Sequence, residues 1–201
     1  MTTTGRRARN AESTRALLVD VAREAFATQG YAATTIDDLL AAADVAKGAL
    51  YHHFAGKEDL LRAVAIEVQA ELDERIERAQ RRTLDSWSRV DLECEALLDA
   101  CLDPAVQRIL LIDYPAVVGS SAGAALAPVV ARLRRDIGTA AEVGGNPCRI
   151  PLDPLAHMLC GAIQEGALRI AASPHPRKER RAVGETTGFL LTAIRAQLQA
   201  C

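Results

Sequence analysis

Residues 34–57 read T-T-I-D-D-L-L-A-A-A-D-V-A-K-G-A-L-Y-H-H-F-A-G-K, and this stretch decides the fold. A hydroxyl at Thr34 or Thr35 can cap the free N–H groups of a helix, and Asp38 stands three residues after Thr35, as reciprocal capping requires. The helix that follows buries Ile36, Leu39, Leu40 and Ala43. Asp44 interrupts it, because aspartate tolerates the left-handed backbone of a tight turn. A third helix is predicted from about Val45 to His53, closed by the break at Gly56. Two short helices joined so tightly must cross at a steep angle.

At a period of 3.6, Ala46, Leu50 and Phe54 share one side of the third helix and anchor it, leaving Lys47, Gly48, Tyr51 and His52 on the other. A cation, a bare backbone, a phenol and an imidazole on one face suit a polyanion. Lys47 can pair with phosphate or a guanine edge, Tyr51 and His52 can donate to phosphate oxygens, and Gly48 permits close approach to a groove. Lys57 and the capped helix start at Thr35 add a second cation and a helix N-terminus. The pattern leaves a second reading open for Tyr51 and His52, an aromatic plug between helices, which is the reading adopted for Phe54.

Upstream, Leu18, Val21, Ala22, Ala25 and Phe26 form one apolar stripe, stopped by Gly30. Residues 1–12 read as a flexible basic arm. Arg6, Arg7, Arg9 and, just beyond it, Arg15 stand there against Glu12 alone, either touching phosphate or forming a solvated tail. Downstream, a connector helix is predicted from about Lys57 to Arg82. Further helices follow at about Leu84 to Leu102, Pro104 to Ile112, Ala122 to Val143, Leu152 to Ala172 and Arg177 to Gln199, with breaks at Pro115, at 144–147 and at 173–176. Apolar residues recur at three and four positions and no strand pattern emerges, so the expected class is all-α. The boundaries expected are 13–56 for a helix-turn-helix domain and 57–201 for a second helical domain.

An apolar content of 49% in 201 residues supports a real core, while the net charge of −2 gives no global sign of a nucleic-acid binder. The longest apolar runs fall far short of the roughly 20 residues that a membrane span requires, and polar residues occupy the place of a signal-peptide core. A soluble, cytoplasmic protein without membrane contact is expected. Cys94, Cys101, Cys148, Cys160 and Cys201 form an odd, scattered set, read as reduced thiols.

The stretch from Thr14 to Val64 resembles the DNA-binding domain of the TetR family in its order of three helices, in Gly30-Tyr31 before the second, and in L-Y-H-H-F followed by G-K-E-D-L-L. The resemblance implies that Thr35, Lys47, Gly48, Tyr51, His52 and Lys57 take positions that contact DNA, with Lys47, Gly48 and Ala49 nearest the bases. Ala49 offers only a methyl, for a thymine contact. Asp44 departs from the glycine common in that turn. The resemblance further implies a helical second domain that binds a small molecule and forms a homodimer through its last two helices, with double-stranded operator DNA as partner. Arg108 to Gly119, R-I-L-L-I-D-Y-P-A-V-V-G, resembles a segment found in one branch of these regulators.

The last two helices agree with a dimer. Leu155, Met158, Leu159, Ala162, Ile163 and Ile170, then Phe189, Leu190, Ala193, Ile194 and Leu198, make wide apolar faces, and Gly161, Gly166 and Gly188 allow close approach. Polar groups that could line an effector pocket are Trp87, Cys94, Cys101, Tyr114, His157, Gln164 and Glu165. The alternative trigger is thiol chemistry or metal binding through Cys94, Cys101, His157 and Cys160, although their spacing matches no familiar metal site. No cofactor or bound metal is expected. No P-loop, G-x-G-x-x-G or H-E-x-x-H is present, and Asp113 and Tyr114 lack a base nearby in sequence, so an enzyme is not expected.

Overall fold

The computed structural model describes residues 3–119, 123–143 and 150–200. Among them every regular element is helical, as the sequence predicts. The helices are α1 (Thr3–Thr28), α2 (Ile36–Ala43), α3 (Lys47–His53), α4 (Lys57–Gln80) and α5 (Ser86–Ala100). A π-helical stretch (Val106–Asp113) follows, then α6 (Tyr114–Val118), α7 (Gly123–Val143), α8 (Leu152–Ala172) and α9 (Pro176–Ala200). Among the described residues no helix is long and apolar enough to cross a membrane.

Two local features differ from the sequence reading. The backbone of residues 3–12, expected as an arm, is helical and continues into α1. The side chains of Arg6, Arg7 and Arg9 lie outside the described residues, and Arg15 turns inward, with its guanidinium 5.6 Å from the centre of the Phe54 ring. The second difference is Pro115, expected as a break. It sits in the first turn of α6, but Asp113 and Tyr114 before it are already helical, so the ring lies inside a continuous helical run. Pro115 also cannot donate to the carbonyl four residues back, and just before it the Tyr114 N–H reaches Ile109, five back. Widening the turn in this way accommodates the ring, which is the physical reason for a π-helix here.

The chain packs as two units. The first comprises Met1–Gln69 with Pro104–Gly119, and the second Ala70–Asp103 with Ser120–Cys201. Loop residues put a boundary at Gly56, but Leu60, Leu61 and Val64 beyond it are completely buried, and that burial binds the first turns of α4 to the N-terminal helices. In the first unit Leu18, Val19, Ala22 and Phe26 of α1 are buried with Leu39, Leu50 and Phe54, while Val21 and Ala25 are only half-buried.

In the second unit α5, α7, α8 and α9 pack on one another around Val90, Cys94, Leu98, Leu133, Ile137 and Ile170. Its core is not wholly apolar. Gln80, Glu93 and Asp136 are buried, so each must be partnered. Gln80 Nε2 donates to Asp136 Oδ2 at 3.1 Å, Arg89 Nε donates to the same oxygen at 3.3 Å, and Arg132 bridges Glu93 Oε1 at 2.8 Å and Asp73 Oδ1 at 2.9 Å.

Burial pushes the Glu93 carboxyl from 4.5 up to about 7, against the opposing pull of Arg132. A carboxyl that holds its proton more tightly folded than unfolded makes the fold lose stability as pH rises through that window, by up to about 3 kcal/mol at 1.36 kcal/mol per unit. Glu93→Gln abolishes the titration while keeping an acceptor for Arg132. Urea unfolding at pH 5 and pH 8 is expected to show the wild type losing stability relative to the variant between the two. An equal difference at both pH values would disprove the assignment.

Candidate nucleic-acid interface

The turn between α2 and α3 is built by local chemistry. Thr35 Oγ1 accepts from the Asp38 N–H at 3.1 Å and donates to Asp38 Oδ2 at 2.6 Å, while the same carboxylate oxygen accepts from the Thr35 N–H at 3.0 Å. Those bonds hold the Asp38 carboxyl below the usual carboxylate range. Asp44 has φ 51° and ψ 46°, the left-handed conformation expected of it. Its N–H and that of Val45 return to the last carbonyls of α2.

Helix α3 then presents its outer face. Leu50 is buried and holds the helix down, while Lys47, Gly48, Tyr51 and His52 are exposed. Neither Tyr51 nor His52 makes a side-chain hydrogen bond among the described residues. Phe54 is buried, 3% exposed, and Tyr51 is left 49% exposed, while the His52 ring meets His53 edge-on at 4.9 Å and His53 lies 6.3 Å from Phe54. A Cβ built at Gly48 meets nothing within 4 Å, so packing inside the protein does not require glycine there. Ala49 is half-buried.

Two of the sequence-derived contacts are already engaged internally. The Thr35 hydroxyl serves the capping box. Lys57 is half-buried, its Nζ donates to the Tyr31 and Thr34 carbonyls at 2.8 Å each, and it stands 4.1 Å from the centre of the Tyr31 ring. Lys57 therefore clamps the loop between α1 and α2.

A second clamp comes from residues that sequence reasoning did not connect to this site. Asp113 Oδ2 accepts from the Tyr31 N–H at 2.8 Å and from Arg108 Nε at 3.1 Å. Arg108 lies over Gly30, whose φ of +84° and missing Cβ leave room for the guanidinium. In the sequence reading, nothing in the segment 108–119 tied Arg108 or Asp113 to the loop before α2. Asp113 and its partner Tyr31 stand 82 residues apart, a separation no local pattern encodes.

The residues proposed for an effector pocket do not converge. Trp87, Cys94 and Cys101 are buried in packing, with the Arg195 guanidinium 5.1 Å from the Trp87 ring and Cys101 Sγ donating to the Leu97 carbonyl. Tyr114 belongs to the first unit. His157 and Gln164 do share a groove between α7 and α8 of about 430 Å³, together with Val130, Ala131, Arg134 and Cys160. His157 Nδ1 donates to the Asp153 carbonyl at 2.8 Å, and Glu165 is exposed.

Thiol chemistry finds no support. Burial pushes the Cys94 and Cys160 thiols up and Cys101 to about 12, which disfavours a thiolate at each. Among the described residues no three His, Cys, Asp or Glu side chains gather as a metal site. Cys148 and Cys201 lie outside the described residues.

The described residues form helices, and two short ones joined by the turn at Asp44 present a polar face, which is the arrangement of helix-turn-helix proteins. Residues 18–64 match the bacterial regulatory proteins of the tetR family, and residues 87–194 match the tetracyclin repressor-like C-terminal domain. The chain belongs to the TetR family of transcriptional regulators, which are not enzymes.

A crystal structure of a TetR-family transcriptional regulator from Pectobacterium atrosepticum is 32% identical, with a TM-score of 0.80 over 96% of this chain and 97% of that one. The fatty acid degradation regulator FadR from Bacillus halodurans shares the fold, with a TM-score of 0.74 at 16% identity over 89% and 94% of the two chains. Among sequence relatives, the transposon Tn10 TetC protein of Escherichia coli is 34% identical over 110 residues, 55% of each chain. The HTH-type transcriptional regulator SrpR of Pseudomonas putida is 38% identical over 99 residues, 48% of this chain and 44% of that one. The chain spans about half the length of these curated relatives.

Proposed function

We propose that this regulator is a cytoplasmic, dimeric repressor that reads a palindromic operator with α3 and releases it when a small molecule binds the second unit. The observation that carries the reading is the outer face of α3, where Lys47, Gly48, Tyr51 and His52 stand exposed and Gly48 answers no need of internal packing. A bare backbone there lets the helix approach a groove, with Ala49 behind it for a methyl contact.

The outer face of α8 and α9 supports the dimer. Met158 and Phe189 are 74% and 72% exposed, with Ala162, Leu190 and Ala193 also exposed beside them. Leu159, Ile163, Ile170 and Leu198, from the same apolar faces, are instead buried within the protomer. The three glycines divide in the same way. A Cβ at Gly166 would lie 2.6 Å from Val183 Cγ1, whereas at Gly161 and Gly188 it would meet nothing within 4 Å, leaving those two open to a partner copy.

For the effector, the groove holding His157 and Gln164 is the cavity that best matches the residues expected from sequence. Its apolar floor of Val130 and Ala131 is edged by Arg134, Asp153, His157 and Gln164, polar groups able to orient a small molecule. The molecule can act only through its difference in affinity between DNA-competent and DNA-free states.

Selection from a random duplex library, with oligomeric state read by light scattering, tests the proposal. An enriched palindrome bound by a dimer is expected, and a compound library is then screened for release of that operator. A folded protein that enriches no sequence sinks the reading.

A further inference from the structure

The face proposed to meet DNA carries a carboxylate. Asp37 and Asp38 stand together in the first turn of α2, but they are not equivalent. Asp38 is engaged in the capping box with Thr35. Asp37 is 83% exposed, and its Oδ1 lies 3.7 Å from Nζ of Lys47, itself 63% exposed. Lys47 is the sole lysine or arginine of α2 and α3, and Asp37 balances it. An ion pair this open to water contributes little to folding, and the helix dipole favours a carboxylate in the first turn without placing it beside the cation of α3.

Non-specific affinity for a duplex comes from cations meeting phosphates, and a carboxylate beside Lys47 lowers it for every sequence alike. A specific site can return that loss only by offering the carboxylate a hydrogen-bond donor. An ionised carboxylate accepts and never donates. In the major groove the donors are the exocyclic amines of cytosine and adenine, whereas the edges of guanine and thymine present acceptors. Lys47 has the opposite preference, for guanine or phosphate, within 4 Å of the same place.

We propose that Asp37 is a specificity-determining residue: in each half-site it accepts a hydrogen bond from the exocyclic amine of one cytosine or adenine, and it penalises other bases and non-operator duplex. This rests on the DNA-reading function proposed above. Asp37→Asn keeps the shape and adds a donor, and Asp37→Ala removes the group. Neither touches the capping box, so both variants should fold and melt within a few degrees of the wild type, the difference being the first-turn charge each one loses.

The test selects all three proteins on a random duplex library and titrates each against a scrambled duplex over a range of salt. The wild type is expected to enrich a palindrome with cytosine or adenine at one symmetric position, and both variants to relax that position. Both should bind the scrambled duplex roughly three- to tenfold more tightly, with a salt slope steeper by about one unit. An unchanged motif overturns the inference, even with tighter non-specific binding, since the carboxylate would then act as bulk charge. If the wild type itself selects no motif, the DNA-reading proposal fails first.

Discussion

Replacing Lys57 with methionine is expected to lower stability by about 1–3 kcal/mol, because two charge-assisted hydrogen bonds to backbone carbonyls are lost and water replaces them only in part. For a chain of this size that is roughly 2–4 °C of melting temperature for each kcal/mol. Operator affinity falls with it, since the loop that enters α2 loses its clamp at the Tyr31 and Thr34 carbonyls. The salt dependence of DNA binding should stay as in the wild type. A role in phosphate contact makes the opposite prediction: unchanged melting and a salt slope shallower by about one unit. Thermal denaturation and a salt titration of the same preparation separate the two.

The other large effect is expected at Lys47 and Tyr51. Lys47→Ala removes the exposed cation of α3 and should weaken operator binding by about 1–3 kcal/mol, roughly tenfold or more, with a shallower salt slope. Tyr51→Phe removes the hydroxyl proposed to donate to phosphate and should cost about 0.5–1.5 kcal/mol. Both side chains are exposed, so melting temperature and oligomeric mass should not change. Full operator affinity in the double variant would remove α3 from the interface. The contrast with Lys57 is the informative part, since the two lysines look alike in sequence and differ in what their ammonium groups face.

Local interactions explain why α1, α2 and α3 were legible in the sequence. A hydroxyl and a carboxylate three residues apart cap α2, aspartate takes the left-handed turn, and apolar spacing selects Leu18, Ala22, Phe26, Leu39 and Leu50 for the core. The exposed face of α3 followed from the same periodicity, except that Ala46, expected to anchor the helix beside Leu50 and Phe54, is exposed because it stands in the turn before the helix. The second unit was legible as helices but not as a site. A tryptophan or cysteine in an apolar helix reads alike whether it lines a cavity or fills a core, and Trp87, Cys94 and Cys101 fill the core.

The sequence by itself therefore determined the helical class, the capped turn and the face of α3 that points outward, because those depend on residues within about one or two helical turns of each other. Only the tertiary structure decided which polar groups remain available. Lys57 is claimed by carbonyls 23 and 26 residues away, Asp113 by an N–H 82 residues away, and Glu93 by Arg132 across 39. Partners at such separations are chosen by how helices pack, and no local pattern carries that information.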